Sequence, residues 1–203
     1  MHLVFDIFQG IGIAAAVGIR PFLPALVVGA LAAGNVEIDF AHTGFSFLQK
    51  PVFLLIMVVA VVVVSGFERR VSASPDPAAA ASIATRALPL LLTAAALVIG
   101  ALLFGASIDR SHHPAVIGII AGVICAGIGI LATQPLLARV RARLDEDALG
   151  ALPLIVEATA TLGAVLSVVA PPVGVILLAA LVWLLIAGRG RGQSKYAGLR
   201  ILR

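Results

Sequence analysis

The stretch Gly18-Ile19-Arg20-Pro21-Phe22-Leu23-Pro24 interrupts an apolar run from Leu3 to Ala33 with two prolines and one guanidinium. As one helix, about 31 residues at about 1.5 Å each would reach about 46 Å, against a hydrocarbon core of about 30 Å. Pro21 disfavours the α conformation at Arg20, and Pro24 removes a further backbone donor. We therefore expect the backbone to unwind near Gly18 to Arg20 and to restart with Pro21 as the first residue of a second half-helix.

The charge at this break is a candidate functional site, because an ionised group deep in an apolar run is rarely placed there without a role. A half-helix N-terminus beside Arg20 forms a concentrated positive spot suited to an anion or a carboxylate. The sequence leaves two paths open for the first segment. It either crosses the membrane once with a kink, or dips into the membrane and returns.

The composition indicates a membrane protein, since 61% of the side chains are hydrophobic, 12% are charged, and the mean hydropathy is +1.14. Soluble domains have an apolar share of about 45 to 50%. We predict an all-α polytopic transmembrane bundle of about six spans, with one transmembrane domain (residues 1–188) and a basic cytoplasmic tail (residues 189–203). The six apolar stretches are Leu3 to Ala33, Pro51 to Phe67, Ala87 to Ser107, Pro114 to Leu136, Leu149 to Val169, and Pro171 to Gly188.

Several function classes are disfavoured. The net charge of +4 comes from basic residues at span ends and in the tail, which is a topological signal and does not indicate nucleic-acid binding. Cys125 is the only cysteine, so no internal disulfide forms. The stretch from Asp109 to His113 holds metal-binding residue types but lacks a defined third and fourth ligand. No catalytic set, cofactor motif or metal motif can be assembled, and we expect no enzyme.

Basic residues predict the orientation. With six spans, eleven Lys and Arg lie on the side of the second and fourth loops and the C-terminal tail, and only Lys50 and Arg110 lie on the other. The positive-inside rule then places both termini in the cytoplasm, in a bacterial inner (plasma) membrane. The tail can also contact anionic lipid headgroups. Its basic residues are Arg189, Arg191, Lys195, Arg200 and Arg203.

Glu157 is the other charge well inside a span, at a depth similar to that of Arg20. Three interpretations stay open for these two side chains: they form a structural ion pair, one or both belong to a substrate, proton or ion site, or one of them faces a water-filled vestibule without a role. Thr161 shares a face with Glu157, and Gln134 lies near the inner end of the fourth span. Helix-to-helix hydrogen bonding is the expected use of these polar groups.

Three further patterns have ordinary structural interpretations. Glu68 closes the second span as a local salt-bridged anchor with its neighbouring arginines. Asp6 is interfacial, at the cytoplasmic mouth of the first span. Gly118 and Gly122 form a small-residue face for close helix packing, within the chain or between protomers.

A faint internal echo links the two halves of the chain. Gly18-Ile19 followed by Pro24 matches Gly129-Ile130 followed by Pro135. Transporters often contain inverted repeats with broken helices at matching positions. A 3+3 inverted repeat therefore stays open, as does a chance match at three positions.

These motifs together resemble the domain-of-unknown-function family 4126 of small bacterial multi-pass membrane proteins. The resemblance rests on the early break, on Glu68 ahead of Pro75-Asp76, on Glu146-Asp147 and Pro153, and on the ending from Tyr196 to Arg203. Pro21 departs from the alanine expected there. The resemblance implies membrane location and makes Arg20 the leading site residue, but it implies no established activity.

Two functions remain as alternatives. The chain is a small transporter or channel, expected to be a homo-oligomer, with a polar substrate or ion site formed by Arg20, Glu157, Gly18, Pro21 and Pro24. Alternatively, it is a structural or accessory subunit that binds lipid or a partner protein. In that case Glu68, Gln134 and Thr161 make structural contacts.

Overall fold

The computed structural model describes residues 2–72, 83–144 and 146–197, and in these ranges all regular structure is helical. Of the described helices, five contain apolar stretches long enough to cross a membrane, and two are shorter apolar helices. The predicted all-α membrane bundle is confirmed. The helices are α1 (His2–Ile19), α2 (Phe22–Ala33), α3 (Pro51–Ser72), α4 (Ile83–Asp109), α5 (Ala115–Arg141), α6 (Glu146–Val169) and α7 (Pro171–Ala197), with a 3-10 turn (Ser46–Gln49) before α3.

The predicted break lies between α1 and α2. The Arg20 N–H still donates to the Ala16 carbonyl at 3.2 Å, so α1 keeps its hydrogen-bond ladder to that point. Pro21 follows as the N-cap of α2, with φ −77° and ψ −42°. The second half-helix thus begins at Phe22, one residue later than expected, which is within the usual uncertainty of a helix end.

The α1–α2 segment enters the bundle and returns to the end at which it started. Arg110, just after α4, binds Asp6 near the start of α1 and also donates to the Glu37 carbonyl after α2 at 3.1 Å. Both ends of the segment therefore lie together, at what we call the Asp6 end of the bundle. At the other end, the Arg139 end, Arg139 of α5 donates to the Gly188 carbonyl of α7 at 3.1 Å.

This hairpin corrects two expectations. The first apolar stretch is two short helices that fold back toward their start, which leaves five described helices long and apolar enough to cross a membrane where about six spans were predicted. α1 begins at the Asp6 end and α7 ends at the Arg139 end, so these two helix ends lie at opposite ends of the bundle, whereas the six-span prediction placed both termini on one side. The physical reason is that the two prolines reverse the chain instead of kinking it.

α1 is the central helix, packed against α4, α5, α6 and α7. Residues 13–17 are fully buried. Small residues allow this close approach. An added Cβ at Gly18 would lie 2.8 Å from the Ala126 Cα, and one at Gly129 would lie 2.6 Å from the Ala15 carbonyl oxygen.

The repeat echo has no structural counterpart, because α5 runs unbroken through Gly129 and Pro135. Pro135 stands alone in α5, whereas two prolines three residues apart disrupt the first segment. An inverted repeat with matching broken helices is therefore not supported. The small-residue face of α5 packs within the chain, where an added Cβ at Gly118 or Gly122 would overlap the backbone of α4.

Candidate functional site

Arg20 lies at the tip of the hairpin and is held by Glu68. Its Nη1 donates to Glu68 Oε1 at 2.7 Å and its Nη2 donates to Oε2 at 3.2 Å. Arg20 is only 9% exposed, and Glu68 is half-buried. A two-point guanidinium–carboxylate pair is the strongest and most directional form of this interaction. The tip therefore carries a fixed, bidentate ion pair about 21 Å along the chain axis from Asp6.

Of the interpretations left open for Arg20 and Glu157, the direct ion pair is not present among the described residues. Within the described ranges, Glu157 makes no ion pair within the 4.0 Å limit, although it lies close enough to Arg20 and Glu68 for both charges to act on it. Arg20 has two carboxylates within reach of the hairpin tip, because α2 packs both against α3, which carries Glu68, and against α6, which carries Glu157. The partner of Arg20 at the tip is Glu68, which the sequence had predicted to pair locally with its neighbouring arginines.

The three charges give the site a sign opposite to the one expected. The guanidinium is paired with one carboxylate, Glu68, and a second carboxylate, Glu157, lies near enough to be influenced by both charges, so the three formal charges sum to −1 only if all three groups are ionised. Glu68 already fills the positive spot that we predicted for an anion. A carboxylate without an ion-pair partner that lies among apolar helices attracts a cation or a proton.

The other predicted residues of the break shape the backbone and add no polar group to the tip. Gly18 allows α1 to touch the backbone of α5 at Ala126. Pro21 is the N-cap of α2, and Pro24 is buried in the first turn. They belong to the site because they place Arg20.

The predicted helix-to-helix hydrogen bonds are not formed. The Thr161 hydroxyl donates to the Glu157 carbonyl of its own helix at 2.8 Å, and the nearby Thr159 hydroxyl donates to Val156. Gln134 is exposed, with no side-chain bond within the described part of the chain. A hydroxyl on a helix reaches the carbonyl one turn back more readily than it reaches another helix.

A second polar cluster, at the Asp6 end, was not predicted. Asp6 accepts from both Arg110 and Ser111. Gln9 accepts from Arg110 at 3.1 Å and donates to the Val168 carbonyl at 3.1 Å. The cluster ties the start of α1 to the ends of α4 and α6.

With the first segment counted as a full crossing, Asp6 and Arg110 were predicted to lie on opposite sides of the membrane. One signal was present in the sequence. Asp6 and Gln9 are three residues apart, which puts two polar side chains on one face of a helix that is otherwise apolar.

Two further predictions concern the basic tail and a metal site, and the described residues bear on them only in part. Helix α7 continues past Gly188 to Ala197, but the side chains of the tail cations Arg189, Arg191, Lys195, Arg200 and Arg203 lie outside the described set. Among the described side chains, no three of His, Cys, Asp and Glu converge on one point.

A comparison with known families bears out the resemblance noted in the sequence. The family model described as "Domain of unknown function (DUF4126)" matches residues 7–189. No curated protein matches the chain, and no solved structure matches it. The matched range runs from α1 into α7 and contains the ion pair at the hairpin tip.

Proposed function

Since the chain belongs to the DUF4126 family, whose description gives no function, we propose one from its geometry: a small transporter or channel that passes a proton or a small cation. The site is the hairpin tip, where Arg20 holds Glu68 and Glu157 is the carboxylate without an ion-pair partner. Glu157 is the group that takes up the cation or the proton.

The observation that carries this proposal is a hairpin that ends inside the membrane on a charged tip. Backbone that leaves the helix at this depth is tolerated where protein buries it or where it lines a water-filled cavity. Broken helices with polar ends at mid-membrane are how transporters build their ion sites. Here the break, the guanidinium and two carboxylates meet at one place.

Under this proposal the described conformation is a closed one. Residues 13–17 of α1 are fully buried between the tip and the Asp6 end. An ion therefore passes only when the hairpin moves relative to α5 and α6. Neutralising Glu157 changes the balance of charge around Arg20, which gives the ion a means of driving that movement.

Purified protein in liposomes with an imposed pH gradient tests the proposal, with internal pH as the readout. We expect wild-type protein to dissipate the gradient and Glu157→Gln to abolish the flux. Thr159→Val is the matched control, because it removes an exposed polar group two residues away without changing a charge. Equal flux in the Glu157→Gln variant, or no wild-type flux of protons, Na⁺ or K⁺ above that of empty liposomes, contradicts the proposal.

A structural or accessory role is the second candidate, and the sealed bidentate pair favours it. Both Glu68 oxygens are occupied by Arg20, as in a fixed helix contact. Under this function the double exchange Arg20→Glu with Glu68→Arg restores assembly and cellular phenotype. If the chain is a transporter, the exchanged protein assembles but flux stays impaired, because Glu157 then faces a different charge.

We also propose that the Arg139 end faces the cytoplasm of a bacterial cell, because most basic residues lie in the terminal turns of the helices at that end or just after them. Exposed His113 and Arg143 stand at opposite ends of the bundle. In intact cells, a membrane-impermeant thiol reagent is expected to label a His113→Cys variant and to spare Arg143→Cys. Buried Cys125 gives little background. The reverse pattern contradicts this orientation.

Two expectations from the sequence remain proposals: that the tail cations contact anionic lipid headgroups, and that the chain forms a homo-oligomer. Truncation after Gly188 tests the first, by comparing how much phosphatidylglycerol co-purifies with each protein from mixed bilayers of phosphatidylglycerol and phosphatidylcholine. Native mass spectrometry in a non-ionic detergent tests the second. A monomer as the sole species, or truncation without effect on the amount of bound phosphatidylglycerol, removes the corresponding proposal.

A further inference from the structure

An open cavity of about 880 Å³ lies at the Asp6 end of the bundle, about 21 Å along α1 from the proposed ion site. The start of α1, the stretch after α2, the end of α4 and the α6–α7 junction surround it. Its volume falls in the range of sites that enclose a small organic molecule. None of the groups at the hairpin tip lines it.

The floor of the cavity is polar, buried and electrically neutral. Asp6 is 3% exposed and Gln9 is 2% exposed. Both Asp6 carboxylate oxygens accept hydrogen bonds, from Arg110 and from Ser111. Arg110 in turn has three acceptors: Asp6, the Gln9 side chain and the Glu37 carbonyl. With these partners its positive charge is compensated, so the floor does not attract an anion.

The rim supplies the uncompensated charge. Glu37 lines the cavity, is exposed, and within the described ranges has no ion-pair partner. Glu37 and His112, which lies on the same rim, both adopt the left-handed backbone region with φ 58°. This conformation is uncommon for residues other than glycine and least so for Asn, Asp and His. At Glu37 the carbonyl oxygen accepts a hydrogen bond from Arg110, which fixes this part of the rim to the floor of the cavity.

The remaining wall is apolar and includes an aromatic ring. Leu3, Phe5 and Val168 line it, and Phe5 is 48% exposed. A cation is attracted to the face of an aromatic ring, and an ammonium group also pairs with a carboxylate. A bare metal ion gains nothing from the apolar wall. The lining therefore selects a ligand with a positive head and an apolar body.

We propose that this cavity is a binding site for an organic cation, an ammonium group carried on an apolar body, with Glu37 pairing the ammonium and Phe5 packing against it. The shared chemistry covers a free alkylammonium compound and the headgroup of an ammonium-bearing lipid. Binding here does not depend on flux through the hairpin tip, so the proposal stands or falls separately from the transport function.

Isothermal titration of the full-length protein in a non-ionic detergent tests the site with hexylammonium, hexanoate and hexanol. We expect saturable binding of hexylammonium alone. Saturable binding of hexanol with equal affinity overturns the proposal, because it shows that the site recognises the apolar chain and not the ammonium group. Tighter binding of hexanoate, or no saturable binding of any probe, also overturns it.

Two variants test the residues. Glu37→Gln is expected to weaken hexylammonium binding by about tenfold or more, as is usual when a charge-assisted contact is lost. Asp39→Asn is the matched control, because it removes a nearby charge outside the cavity and keeps an oxygen for the Ala41 N–H. Phe5→Leu is expected to weaken hexylammonium binding by several-fold while the melting temperature stays unchanged. Wild-type affinity in the Glu37→Gln variant overturns the proposal.

Nanodiscs separate the two sources of the ligand. If phosphatidylethanolamine in a phosphatidylglycerol disc weakens hexylammonium binding, an ammonium-bearing lipid occupies the site. If it has no effect, the site takes a free cation from solution. Either result requires the binding seen in detergent, so each supports the site and identifies its occupant.

Discussion

The two ends of α1 each bring an arginine to a carboxylate, but the surroundings of the two pairs differ. At the Asp6 end, the Asp6–Arg110 pair is joined by Gln9, Ser111 and backbone carbonyls, and it ties together several elements. At the hairpin tip, the Arg20–Glu68 pair joins only the break to α3. Among the membrane-spanning helices α3 is the least buried, and it packs mainly on α2.

This difference in the number of hydrogen-bond partners indicates different roles for the two ion pairs. At the Asp6 end the charges of Asp6 and Arg110 cancel within a network in which one lost bond leaves several others. The tip is a single pair beside the extra carboxylate of Glu157. A network resists change, whereas a lone pair beside a third charge responds to a proton or a cation. We therefore regard the Asp6 end as the anchor of the hairpin and the tip as its responsive part.

The sharpest test replaces each pair by leucines. Arg20→Leu alone is expected to cost about 3 to 5 kcal/mol, because it leaves the Glu68 charge buried without a partner. Adding Glu68→Leu is expected to restore most of that stability, since an apolar pair can replace a lone ion pair. Thermal unfolding in detergent measures both variants.

At the Asp6 end the same replacement is expected to behave differently. The double variant Asp6→Leu with Arg110→Leu is expected to remain about 2 to 3 kcal/mol less stable than wild type, because Gln9, Ser111 and the Glu37 carbonyl lose their partners. Full recovery in this double variant would remove the distinction between network and lone pair.

A smaller effect tests the packing between the two pairs. Gly18→Ala is expected to cost about 1 to 3 kcal/mol, because the added methyl group meets the rigid backbone of α5 at Ala126. Gly127→Ala is the matched control, since its nearest neighbour, a Leu97 methyl group, is 3.9 Å from the added Cβ. Equal melting temperatures for the two variants would mean that α1 can shift away from α5.

The smallest expected effect is at Thr161. Thr161→Val removes a hydroxyl that bonds only to the carbonyl of its own helix, so the stability change is expected to stay within about 0.5 kcal/mol. A loss above about 1.5 kcal/mol would point to a contact between helices and would revive the original prediction for this residue. Thermal unfolding again provides the measurement.

Local chemistry made the break predictable, because two prolines three residues apart act on the backbone without help from the rest of the fold. The return of the chain was not predictable from length, since a run of about 31 residues fits a kinked crossing or a hairpin equally well. One clue was available, since residues 1–19 contain no Lys or Arg and so give no topological signal in favour of a full crossing from the cytoplasmic side.

The partner of Arg20 depended on that return. By their depth along the helices, Glu157 and Glu68 are comparable as ion-pair partners for Arg20. Only the packing of the hairpin tip against α3 and α6 in the folded bundle decides between them. The same assumption, that the first segment crosses the membrane, placed Asp6 and Arg110 on opposite sides in the prediction. The site residues were therefore identifiable one by one as unusual charges, but their pairing is a property of the tertiary fold.

The central place of α1 sets the order in which the protein is assembled during synthesis. Its partners come late in the chain, as in the Gln9 bond to Val168, which spans 159 residues. At usual rates of translation, on the order of 10 to 30 s pass between the synthesis of the two residues. The α1–α2 hairpin is thus made before the helices that bury it, so α1 completes its packing only after α6 and α7 have been synthesised.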